Sequence, residues 1–171
     1  MKGFRGAIGS LPWWAGIAAS GGLVLAPLAP VAALRGWPGA ALWLESTPLH
    51  ALGLVLTTIG IAGSLVAQLS MGDSWRIGVD DSERTELVTG GLFGRVRNPI
   101  FSCIALSIAG LVLLVPNAFA LASACLTLFG IEAQVRGVEE PYLIEAHGDC
   151  YRRYAARVGR FVPGVGRLRS G

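Results

Sequence analysis

Charge is scarce in this chain: only 15% of its 171 residues are Asp, Glu, Lys or Arg, and the mean hydropathy is +0.57. That scarcity excludes an ordinary soluble domain of this length, in which about a quarter of the residues carry charge. Cysteine is equally sparse. Cys103, Cys125 and Cys150 are scattered, so they form no disulfide framework and show no metal-ligand spacing. His50 and His147, the only histidines, stand in separate segments with no matching Cys or His nearby, and no metal site is expected. The chain also lacks a Ser/His/Asp arrangement, a phosphate-binding Gly-x-x-x-x-Gly-Lys loop and a dinucleotide fingerprint between strand and helix. The net charge of +3 calls for no nucleic acid, because anionic lipid headgroups suffice as its partner.

Long apolar runs are present instead. A bilayer crossing needs roughly 20 mainly apolar residues, and four candidates stand out, at about 13–34, 48–71, 100–115 and 118–135. Pro27 and Pro30 are expected to kink the first. The third and fourth are short and meet at Pro116-Asn117, a turn signal that predicts a tight helical hairpin. The basic start at Lys2 precedes a retained span rather than a cleaved signal, since no small-residue cleavage site follows and three further spans do. Basic residues set the topology. Lys2 and Arg5 precede the first span, Arg76, Arg84, Arg95 and Arg97 occupy the second loop, and seven arginines follow the fourth span. Both termini and the second loop are therefore expected on the cytoplasmic side. The fold class that follows is an all-α integral membrane protein of about four transmembrane helices with a cytoplasmic, amphipathic helical C-terminal region. We read it as one membrane-embedded domain, with two N-terminal spans over 1–71 and a core over 72–171.

Polar side chains concentrate in two places. The loop 72–98 mixes five acids and four arginines, then reaches Gly90-Gly91 and the Asn98-Pro99 step. Asn98 is disfavoured as helix and suits the N-cap, while Pro99 suits the first helical position, so the third span is predicted to start there. The second cluster holds Glu132, Arg136, Glu139 and Glu140, at the exit of the fourth span. Arg136 and Glu140 are four apart and on a regular helix would share a face; Glu139 would point elsewhere. Beyond them, Leu143, Tyr151, Tyr154 and Val158 recur at helical intervals, which predicts an amphipathic helix pair broken near His147-Gly148, ended by Pro163 and followed by a loose basic tail.

The stretches "ELVTGGLFGRVRNPIF" and "RGVEEPYLIEAHGDCYRRYAARVGRFVP" together resemble the isoprenylcysteine carboxyl methyltransferase family and its bacterial and phospholipid methyltransferase relatives. The resemblance runs over roughly residues 85–163 and rests on the order of its elements: Leu-Val-Thr-x-Gly-x-aromatic, Arg-x-Asn-Pro-x-aromatic, a helical hairpin, Arg-x-x-Glu-Glu, Gly-x-x-Tyr-x-x-Tyr and a closing Pro. It implies a membrane enzyme that uses S-adenosyl-L-methionine to methylate a lipophilic acceptor, an isoprenylcysteine carboxylate or another amphiphile, at the cytoplasmic face. Glu86, Leu87, Val88 and Phe93 would border the cofactor, and Asn98, Pro99, Ile100 and Phe101 would contact it. Glu140 would hold it at its ammonium group, and Arg136 would face the acceptor and orient its carboxylate. Where Asn98 stands the family often has His, and where Phe93 and Phe101 stand it often has Tyr, so acid/base work at those positions is not expected here. The Gly, Ala and Arg rich composition suggests a bacterial inner membrane. Two competing readings are an NADPH-dependent membrane reductase of the sterol reductase kind and a non-catalytic membrane scaffold.

Overall fold

The computed structural model describes residues 8–37, 46–71 and 87–168. Six α-helices run in the order α1 (Leu11–Leu25), α2 (Leu28–Leu34), α3 (Thr47–Leu69), α4 (Pro99–Leu114), α5 (Ala118–Gln134) and α6 (Glu140–Arg157), and there is no strand among the described residues. Each start and stop has a local cause. The first apolar run is split at Pro27, which has no N–H and crowds the turn before it, whereas Pro30 falls in the first turn of α2, where no intrahelical acceptor is missed. Pro99 opens α4, as its fixed φ suits the first helical position. Asn117 separates the hairpin helices: its Oδ1 accepts from Ala120 N–H at 3.0 Å, and its Nδ2 donates to the Ala29 carbonyl at 2.7 Å. One buried side chain thus caps α5 and fastens it to α2.

The chain is a membrane protein. Residues Leu11–Leu34 and Thr47–Leu69 are each apolar and long enough to cross a bilayer, and α4 is a shorter apolar helix. The last helical run covers Ala118–Arg157, 40 residues. At 1.5 Å per residue that is roughly 60 Å, twice the hydrocarbon thickness. The apolar part ends with α5, and the charged α6 continues outside. On α3, Leu54, Val55, Ile59, Ile61, Leu65 and Val66 are exposed, as suits a lipid-facing flank, whereas the buried positions of that helix are Gly53, Gly60 and Ala67. Association in lipid comes from close packing of small residues and from polar contacts between helices. Helix α3 lies along α4, and α1 along α5. A Cβ on Gly60 would stand 2.6 Å from the Cys103 carbonyl and 2.7 Å from Ser107 N, so the α3–α4 approach requires glycine there. Between α1 and α5, the buried Ser123 hydroxyl donates to the Gly22 carbonyl at 2.7 Å.

Outside the spans the chain closes on itself. A π-helical turn, Val135–Glu139, joins α5 to α6, and Gly148, at φ 53°, breaks α6 at the expected place. The segment after α6 bends back to the start of α4: Arg97 N–H donates to the Gly159 carbonyl at 2.8 Å and Asn98 N–H to that of Arg160 at 3.1 Å. A loose tail beyond Pro163 is not what the structure has. Leu168 N–H donates to the Ala155 carbonyl at 3.0 Å, and the Gly166 carbonyl accepts from Arg97. The tail is held by its backbone bond to α6 and because it carries a carbonyl, that of Gly166, which the buried guanidinium of Arg97 needs.

Candidate functional site

Two segments distant in sequence build one polar centre at the mouth of α4. The first is the 3₁₀ turn Gly91–Gly94 with the residues up to Phe101; the second is α6 with its returning tail. Phe93 is buried in the turn, and its carbonyl accepts from the Tyr154 hydroxyl at 2.6 Å. Tyr154 stands against Tyr151, ring edge to face, at 6.0 Å between centroids. Leu87, Leu143, Ile144, Val158 and Leu168 pack around these two rings. Burial, with the charge of a neighbouring Tyr151 adding to it, pushes the Tyr154 phenol up to about 12. It is a fixed hydrogen-bond donor at neutral pH, not a base.

Arg97 is the centre of the arrangement. Its side chain is 2% exposed, and its Nη1 donates to the carbonyls of Ala155 at 3.0 Å and Val158 at 2.6 Å, where the end of α6 offers free carbonyls and the negative end of its dipole. Nη2 donates to Gly166 O at 3.1 Å and to Glu140 Oε1 at 2.5 Å. Arg160 grips the same carboxylate from the other side, Nε to Oε1 and Nη2 to Oε2, each at 2.8 Å. Such two-pronged pairing combines strength with fixed orientation. Burial would raise the Glu140 pKa, but the hydrogen bonds and charges of Arg160 and Arg97 outweigh it and hold the carboxyl below its ordinary value. Two guanidiniums and one carboxylate leave the cluster one positive charge in excess. Nε of Arg97 is buried with no partner among the described residues.

Because the Glu140 pKa is depressed on folding, its ion pairs contribute stability that is fully present above the ordinary carboxylate range near 4.3 and is lost as pH falls through the folded value. The thermal midpoint of the detergent-solubilised protein is therefore expected to fall as the pH is taken down through and below the ordinary carboxylate range, and Glu140→Gln is expected to flatten that slope.

A comparison with models of protein families matches residues 48–150 to phospholipid methyltransferase. The chain belongs to the phospholipid methyltransferase family. More than half of the chain lies within the match, which takes in α3, α4, α5 and the first part of α6. Membership makes this a membrane methyltransferase of lipid substrates, and the family is related to the isoprenylcysteine carboxyl methyltransferases read from the sequence. No curated protein and no solved structure matches the chain.

In this methyltransferase the residues implied by the resemblance are distributed as follows. Leu87 and Val88 are half-buried, Phe93 and Pro99 are buried, and Asn98, Ile100 and Phe101 are half-buried, all on the first segment. Glu86 lies outside the described residues. Asn98 occupies the N-cap position of α4 without capping it; its Nδ2 donates to the Arg160 carbonyl at 3.2 Å and so ties the helix start to the tail. Glu140 is buried in the ion cluster, whereas Arg136 is exposed and paired with Glu132 one turn earlier on α5. Arg136 and Glu140 do not pair. The π turn between them adds a residue to the helical register, which swings Glu140 away from the Arg136 face. The sequence places Arg97 in the polar stretch before α4, where topology and a site are both open to it, and Tyr154 in the Gly-x-x-Tyr-x-x-Tyr pattern, but it assigns neither a partner and gives Arg160 no role. A buried carboxylate demands a cation, so the signal for a partner was there, but nothing local says which arginine supplies it.

Proposed function

We propose that this protein transfers a methyl group from S-adenosyl-L-methionine to a lipophilic acceptor at the cytoplasmic face of the membrane. The observation that carries the reading is the buried cluster of Arg97, Glu140 and Arg160, with its surplus positive charge and the unpartnered Arg97 Nε. A buried donor without an acceptor is costly, and the carboxylate of an amino-acid ligand fits it in both charge and hydrogen bonding. The residues present therefore suit the cofactor. When bound, it supplies a methyl group already activated by the sulfonium charge.

The chain's own part is alignment and exclusion of water. Arg97, with Arg160 beside it, would hold the ligand carboxylate. Both Glu140 oxygens are engaged, so Glu140 is read as the positioning residue that fixes the two guanidiniums, and the ammonium group falls to Glu139, with which no described cation pairs. Free N–H groups in the first turn of α4, at Ile100 and Phe101, offer further donors. Leu87, Val88 and Phe93 would form the apolar wall. Arg136 stays with the acceptor: it is exposed where the chain leaves the span, and its surface pair with Glu132 is weak enough to yield to an anionic head group. The cytoplasmic placement of both termini belongs to the same proposal and rests on the positive-inside bias.

Calorimetry of the full chain in detergent with S-adenosylhomocysteine tests this. Saturable binding by folded protein is expected, with none for NADPH. No heat of binding from folded protein would overturn the reading.

A further inference from the structure

A groove of about 470 Å³ lies between α1, the start of α4 and the end of α5. Ile17, Ser20 and Leu23 of α1 line it together with Phe101 of α4 and Ile131 and Gln134 of α5. Ile17 and Leu23 are also exposed on a membrane-spanning helix, so the groove opens sideways to the hydrocarbon rather than to water. No lining residue is charged. At its inner end Gln134 is 4% exposed, and both Oε1 and Nε2 are buried without a hydrogen-bond partner. Of the lining side chains, only this one has buried hydrogen-bonding atoms left unsatisfied.

We propose that this groove binds an uncharged amphiphile from the bilayer, an apolar chain whose head carries a hydroxyl, with Gln134 as the residue that recognises the head. The choice of occupant follows from what the amide lacks. Gln134 needs one donor for Oε1 and one acceptor for Nε2. A hydroxyl can be both. An ester or ether oxygen only accepts, and leaves Oε1 unpaired. A phosphate would be taken out of water with no cation in the groove to compensate it. The apolar walls of α1 and Phe101 take the chain. Phe101 belongs to the first of the two segments that converge on the Arg97 cluster, and Gln134 ends α5 one π turn before α6 begins, so the head would lie at the membrane-side approach to the polar centre. The proposal goes beyond the methyl-transfer reading, and because its test is binding alone, the two can fail separately.

The full chain in lipid nanodiscs is irradiated with a diazirine-bearing long-chain primary alcohol, its methyl ether or its phosphate monoester, and labelling of the α1 and α5 peptides is measured. The alcohol is expected to label about tenfold more efficiently than the ether, the ratio that one hydrogen bond of about 1.4 kcal/mol gives. The phosphate ester is expected at or below the ether. In Gln134→Leu the alcohol and ether should become equal, with a thermal midpoint no lower than wild type, since an unsatisfied buried amide has been removed. Gln134→Met serves the same purpose if the leucine variant does not fold. Equal labelling by alcohol and ether in wild type, a preference that survives in the folded variant, or stronger labelling by the phosphate ester would overturn the proposal.

Discussion

Replacing Glu140 by alanine is expected to lower stability by about 3–5 kcal/mol, the range seen when one member of a buried ion pair is removed. The loss comes less from missing attraction than from what stays behind. Arg97 and Arg160 would remain in place with two positive charges and no carboxylate, and Arg97 is too deeply held by Ala155, Val158 and Gly166 to turn towards water. The returning tail should come away first, since its contact with α4 depends on the same arginines. Thermal unfolding in detergent, followed together with protease cleavage after residue 157, measures both parts of this. Glu140→Gln keeps the shape and one acceptor and is expected to lose less, about 1–3 kcal/mol. A Glu140→Ala protein as stable and as protease-resistant as wild type would show that the cluster contributes little to the fold.

Arg97→Met is expected to have the second largest effect, and it acts on ligand binding as well as on folding. Methionine fills much of the space but donates nothing, so four hydrogen bonds disappear, among them the pair with Glu140. Affinity for S-adenosylhomocysteine should fall roughly 10- to 100-fold, equivalent to about 1.4–2.8 kcal/mol for a charge-assisted contact. Lysine is the discriminating variant. Arg97→Lys restores the charge and one contact with Glu140, and should recover much of the thermal stability. It lacks the guanidinium fork and has no counterpart of the unpartnered Nε, so binding should stay weak. If lysine restores binding along with stability, then Arg97 acts on the ligand only through the fold.

The unequal legibility of this chain in its sequence has a physical origin. The helices could be placed from sequence to within a few residues, because what defines them is local. Hydropathy sets the spans, Pro27 and Pro99 act on their own turns, Asn117 caps the helix it precedes, and Gly148 breaks α6 where a residue without Cβ is easiest to turn. Two misreadings were not local. The Arg136–Glu140 pairing assumed a regular helix, and the π turn removed the shared face. The tail read as loose because basic residues after a proline carry no packing signal, although the Gly166 carbonyl among them accepts from Arg97.

By itself, then, the sequence determined the membrane class, the order of the helices and the two polar segments whose motifs mark a methyltransferase, since each of these is written in neighbouring residues. Only the tertiary structure decided which cations hold Glu140. They come from 43 residues before it and 20 residues after it. With 14 basic residues in the chain, no spacing rule selects those two. Selection follows from the tail returning to the mouth of α4, where burial makes an unpaired carboxylate too costly to leave and fixes the two arginines within reach.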